Sequence, residues 1–236
     1  VRAAGDWSLV VTAEHGGNEV PLDYRTLFRG HATLLASHRG WDPGTLDLAR
    51  RFAAAFGAPL VAGTVTRLLV DLNRSPQNPR AFSEITRRLA RPERVCLLER
   101  FHRPHWDGVR ARLADALRGG GRVLHVGVHS FTPALNGVTR KPDVALLYDP
   151  ARRGERELAA TWTRALAKAA STRVVRRNDP YRGFSDGLPT AMRREHEERS
   201  YLGIEIEVNQ RHIGARGRFP GWVPDTLIGT LSEVLA

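Results

Sequence analysis

Cysteine is almost absent: Cys96 is the single one in 236 residues, so no disulfide can form within the chain and a small disulfide-stapled fold is excluded. A reducing, cytoplasmic setting is the expectation, with Cys96 inert and buried in the apolar run VCLL. Long hydrophobic runs are also missing. Without about 18 consecutive apolar residues, and without a charged-then-apolar leader, neither a membrane span nor a secretory signal is expected. Lysine is nearly as scarce, since only Lys141 and Lys168 stand among 36 basic residues. Arginine therefore carries almost all of a formal net charge of +11. Such a charge invites a nucleic-acid reading, because clustered cations gain affinity by releasing counterions from phosphates. The arginines are scattered, however, and mixed with 25 acids, and no helix-turn-helix, zinc-finger or aromatic RNA-binding signature accompanies them. Nucleic acid is not the expected partner. Internal repeats and low-complexity linkers are lacking too, so a single domain over residues 1–236 is expected.

What is present is an alternation of short apolar runs with longer amphipathic stretches, the order of an α/β domain with a mainly parallel sheet. WSLVVTAEH (7–15) reads as the first strand, ending in a glycine turn. A helix is expected from Pro43 to about Phe56, with Asp42 as its N-cap and Gly57 near its end. Residues 58–74 should supply two extended segments broken near Gly63, and 98–118 a helix stopped by Gly119, Gly120 and Gly121. VLHVGVHS (123–130) is a strand, VALLYDP (144–150) another, 153–170 a helix, RVVRR (173–177) a short strand, YLGIEIEVNQ (201–210) the last strand, and 224–235 a closing helix. The stretches at 75–92 and 178–197 read as long polar loops, which are often functional.

Several strands end in polar residues: His15, Asn73 with Arg74, His129, and Glu207 with Asn209. Ligands of open α/β sheets bind at the carboxyl ends of parallel strands. Two histidines and a carboxylate are the ligand set of a catalytic zinc with one position free. Spacing alone leaves each strand-end histidine open between that role and a packed structural one. In GIEIEVN, Glu205 and Glu207 share a face because side chains alternate with period two, and two buried glutamates are costly unless paired or functional. A guanidinium fork such as that of Arg74 can grip a carboxylate bidentately. His125 suits either a packed or a supporting role, whereas His102 and His105 read as surface or groove residues.

EHGGNEVP (14–21), SHRGWDPG (37–44), TRLLVDLNR (66–74), HSFTP (129–133), RRNDPY (176–181) and GIEIEVNQ (203–210), in this order, resemble the N-formylglutamate amidohydrolase family, itself distantly similar to zinc carboxypeptidases. The resemblance implies a three-layer α/β/α sandwich of phosphorylase/hydrolase type with a mainly parallel mixed sheet. It implies one Zn2+, or another divalent metal, held by His15, His129 and a carboxylate, with Asp42 preferred over Glu19 or Glu14, which would otherwise be loop carboxylates or outer partners. Asp42 keeps its alternative as a helix cap. The resemblance selects Glu207 over Glu205 as the general base and suggests that Arg67 polarises the scissile carbonyl or holds substrate. Asn73 and Arg74 would bind a substrate carboxylate, and Tyr181 could close over it. The expected substrate is a small N-acyl amino acid, foremost N-formyl-L-glutamate.

Overall fold

The computed structural model describes residues 7–236. Eight strands and seven α-helices follow in chain order: β1 (Trp7–Ala13), α1 (Ala32–Ala36), α2 (Thr45–Phe56), β2 (Leu60–Ala62), α3 (Arg91–Leu97), α4 (Arg103–Leu117), β3 (Arg122–Phe131), β4 (Ala134–Leu135), β5 (Val138–Thr139), β6 (Val144–Leu147), α5 (Arg153–Ala169), β7 (Val175–Arg177), α6 (Leu188–Glu195), β8 (Tyr201–Asn209) and α7 (Trp222–Leu235). Six strands form one sheet in the order β2-β1-β3-β8-β6-β7, and β4 and β5 make a separate hairpin. The first four strands of that order are mutually parallel, whereas β6 runs antiparallel to β8 and parallel to β7.

The central strands are buried along nearly their whole length because helices cover both faces. Leu9, Val11 and Ala13 of β1, Leu124, Val126 and Val128 of β3, and Leu202, Ile204, Ile206 and Val208 of β8 pack against α2, α5 and α7. The alternate residues Val10, Val123 and Tyr201 pack against α4 and α6. Period-two alternation then puts His125, His129, Glu205 and Glu207 on this second face. One face is thus an apolar core, and the other becomes polar toward the carboxyl ends of β3 and β8. Asp143, at the start of β6, collects Arg211 Nη2 at 2.7 Å and Val174 N–H at 2.7 Å and so ties the reversed pair of strands to the end of β8.

Helix α2 follows its sequence: Leu48, Ala49, Phe52, Ala53 and Phe56 form the buried stripe, and Gly57 at φ 60° closes the helix with its N–H on Ala54 O. Its N-cap is Gly44, not Asp42, because the Asp42 side chain turns away from the helix into the polar cluster described below. Further expectations require correction. Residues 66–74 are turns rather than a second extended segment: Leu68 and Leu69 are buried, but in a side cluster with Phe28 and Leu97 instead of in the sheet. The helix expected at 98–118 begins earlier, as α3 and α4 joined through a π-helical turn over Leu98–His102 that accommodates Pro104. The polar stretch 178–197 contains α6, whose Leu188 and Met192 are fully buried. Cys96 is exposed, since α3 turns Leu97 inward and leaves its neighbour on the outside. His102 and His105 are buried: His102 Nε2–H donates to Arg74 O at 2.7 Å and its ring stacks on Trp106.

Among the described residues, no helix is long and apolar enough to cross a membrane.

Candidate metal centre

His15 lies in the glycine turn that follows β1. The turn passes so close to the segment just after β2 that a Cβ on Gly17 would collide with the Thr64 backbone, and Glu19 N–H donates to Thr64 O at 3.0 Å. Asp42 N–H donates to His15 O at 2.9 Å, which draws the segment before α2 to the same place. His129 lies near the carboxyl end of the buried run of β3, two positions beyond Gly127. These separate segments converge on one buried cluster. The Asp42 Oδ2 atom lies 3.3 Å from His15 Nδ1 and 3.1 Å from His129 Nδ1. Donor atoms of His15, Asp42 and His129 all lie within 4.8 Å of one another, and the three residues could hold a metal ion. Ligand atoms about 2.0–2.1 Å from a tetrahedral zinc stand roughly 3.3 Å apart, so the two contacts of Asp42 Oδ2 fit that geometry, and the N2O donor set suits zinc.

A second carboxylate lies beside each histidine. His15 Nε2–H donates to Asp71 Oδ1 at 2.7 Å, and His129 Nε2 lies 3.0 Å from Glu14 Oε2. Such outer carboxylates fix the tautomer and the aim of a ligating imidazole. Arg67 links the pieces, donating through Nη1 to Asp42 Oδ1 at 3.1 Å and through Nη2 to Asp71 Oδ2 at 3.0 Å. His15, Asp42, Arg67 and Asp71 therefore form a closed ring of contacts. Burial opposes the charge on Asp42, but its contacts with the His15 and His129 imidazoles and the Arg67 guanidinium hold its carboxyl far below the usual range. Burial likewise opposes a charged His129, yet Asp42 and Glu14 push its imidazole well above its ordinary value.

Glu207 pairs in register with His129 on the neighbouring strand. Burial pushes its carboxyl up to about 8, and its Oε2 has no hydrogen-bond partner. A buried polar atom without a partner is unusual in a folded protein. Glu205, also raised by burial, accepts a long hydrogen bond from the Asn73 amide at 3.4 Å. Glu19 is exposed and accepts from the Thr64 hydroxyl at 3.0 Å, away from the cluster.

All eight residues singled out by the sequence, His15, Asp42, Arg67, Asn73, Arg74, His129, Tyr181 and Glu207, line one cavity of about 720 Å3. Within it, Asn73 Oδ1 accepts Leu188 N–H at 2.8 Å and so holds the start of α6, while Arg74 Nη1 donates to Asp186 O at 2.5 Å. Tyr181 is half exposed and its hydroxyl accepts from Arg140 Nη1 at 2.8 Å. One residue escaped the reading of the sequence. Asp71 was hidden inside an apolar stretch, where an acid flanked by Val70 and Leu72 was the available signal. Glu14, expected as a loop carboxylate or an outer partner, lies beside His129, a residue too distant in sequence for spacing to name as its neighbour. Ser130 donates to Pro43 O at 2.9 Å and serves the packing of the strand end.

Residues 7–213 match the model of a family described as N-formylglutamate amidohydrolase. The chain belongs to that family. Among solved structures, an N-formylglutamate amidohydrolase from Ralstonia eutropha JMP134 shares the fold, with a TM-score of 0.68 and 20% identity over 100% of this chain and 92% of that one. A gene product of Agrobacterium tumefaciens is similar at 29% identity and a TM-score of 0.76, over 97% of this chain and 88% of that one. Comparison with curated proteins gives no match. Within the N-formylglutamate amidohydrolase fold, the carboxyl ends of β1, β3 and β8 are what bring the polar cluster together.

Proposed function

We propose that the protein is a zinc-dependent amidohydrolase that cleaves N-formyl-L-glutamate to formate and L-glutamate. The observation that carries this reading is the His15–Asp42–His129 cluster set beside the unpartnered carboxyl of Glu207, in a chain of this family. His15, Asp42 and His129 would hold the metal, and Asp71 and Glu14 would keep the two imidazoles aimed at it. The chemistry a bound zinc supplies is acidification of water and polarisation of a carbonyl oxygen. Glu207 takes a proton from the attacking water at its free Oε2 and returns it to the leaving amine nitrogen. A carboxyl raised to about 8 by burial lies in the range where a group can both accept and give back a proton near neutral pH. Arg74, with Asn73 beside it, offers a guanidinium to a substrate carboxylate. Arg67, committed to two carboxylates, sets the position of Asp42 while its partly exposed side chain faces the cavity.

The test is formate release from N-formyl-L-glutamate by the purified protein, with zinc supplied and after chelation. Turnover that disappears on chelation and returns with zinc is expected. Turnover that persists in chelator overturns the metal role, and zinc binding without formate release overturns the substrate.

A further inference from the structure

The cavity around the cluster is larger than a single N-acyl amino acid requires. At about 720 Å3 it falls in the range of about 300–1,000 Å3 that encloses ligands of drug size, whereas N-formyl-glutamate has only about a dozen non-hydrogen atoms. Its charge is also layered. The acids Asp42, Asp71, Glu205 and Glu207 line it beside the histidines, while Arg80, Arg87 and Arg182, all exposed, line it as well. These arginines come from two separate segments, residues 79–88 and the loop after β7, which the fold brings to one opening. The other acids of the lining are already engaged. Glu84 receives Arg39 Nη2 at 2.7 Å, and Asp186 Oδ2 receives Ser75 N–H at 3.1 Å and the Asn78 amide at 2.6 Å. Among the described residues, Arg80, Arg87 and Arg182 form no ion pair, in a chain where many arginines do. Phe82, Leu135 and Tyr181 line the same cavity and supply apolar wall.

We infer that the site prefers, over N-formyl-L-glutamate itself, an N-acyl oligopeptide whose residues beyond the first are acidic. The inference rests on the amidohydrolase reading above. The acyl amide lies at His15, Asp42 and His129, and the further carboxylates lie against Arg80, Arg87 and Arg182, whose forks match carboxylate geometry. Water adds to the acyl carbonyl and the carbon–nitrogen bond breaks. The products are the carboxylate of the acyl group and a peptide with a free α-amine, which receives the proton. The amide chemistry of the floor favours a peptide over a nucleic acid as the anionic chain.

The experiment compares kcat/KM for N-formyl-Glu, N-formyl-Glu-Glu-Glu and N-formyl-Gln-Gln-Gln, in the wild type and in Arg80→Ala/Arg87→Ala. A fluorescein-labelled N-formyl-Glu-Glu-Glu measured by anisotropy reads binding directly. The acidic tripeptide is expected to exceed N-formyl-Glu at least tenfold, with an advantage that shrinks with added salt and is missing from the glutamine peptide. In the double variant it falls to the N-formyl-Glu rate, which itself is unchanged. Equal rates for the two acidic substrates, or an advantage that survives the substitutions, overturn the inference. If no formyl substrate turns over, the amidohydrolase reading fails and binding alone decides. A tenfold weaker Kd in the double variant then supports an acidic-peptide rim; an unchanged Kd, or equal displacement by a single-stranded oligonucleotide, overturns it.

Discussion

His125 and His129 sit four residues apart on β3, on the same face of the sheet, and both are buried. Their surroundings differ in one respect. His125 lies between two hydroxyls, with Nε2 at 2.9 Å from Thr12 Oγ1 and Nδ1 at 2.8 Å from Tyr201 Oη, and burial lowers its pKa to about 4. His129 lies between carboxylates, which push its pKa the other way. Burial is common to both, so the partners decide the charge. Mid-strand, the neighbouring strands offer neutral groups that fix a neutral imidazole as part of the core. At the strand end, loops bring in Asp42 and Glu14, and the same side chain joins a site that can hold a cation.

The contrast can be broken most sharply at His129. His129→Ala is expected to abolish formate release and metal retention together, read by turnover and by metal analysis of the folded variant; survival of either would make the two histidines equivalent. Glu207→Gln comes next, with kcat lower by about 10²–10⁴-fold and the bound metal retained, since a general base contributes to the rate and not to the ligand set. Asp71→Asn should weaken zinc affinity by about 10–100-fold, as measured by competition with a chelator, because it removes the group that aims His15. His125→Gln has the smallest expected effect on turnover, and it shows in stability instead. The folded pKa of His125 is depressed, so the unfolded chain binds the proton first, and stability is full above about pH 6.5 and lost as pH falls toward 4. That loss amounts to about 3 kcal/mol for the one group, from the difference of its pKa values. Urea denaturation at pH 7 and pH 4.5 should show a smaller acid-side loss in the variant.

Much of this arrangement was legible in the sequence where local pattern and structure coincide. The apolar runs of β1, β3 and β8, the stripe of α2 and the alternation that puts Glu205 with Glu207 all express a period that a strand or helix must keep. The turn segment 66–74 was not legible, because LLVDL buries the same residues in a side cluster as it would in a strand. Nor could the reversal of β6 be read, since an apolar run of four residues is the same in either direction. Asp42 carried both a cap signal and a ligand signal, and only its long-range contacts with His15 and His129 separate them. Exposed Cys96 and buried His102 show the limit from the other side, as which face of a helix is covered depends on what packs against it.

The closed ring of His15, Asp42, Arg67 and Asp71 has a consequence for substitution. Each member touches two others, so a change at one leaves a buried charge or donor unmatched at its neighbours, and single substitutions cost more than any pair of compensating ones would suggest. Substitutions at these four positions are therefore expected to be strongly non-additive, tolerated together more readily than one at a time.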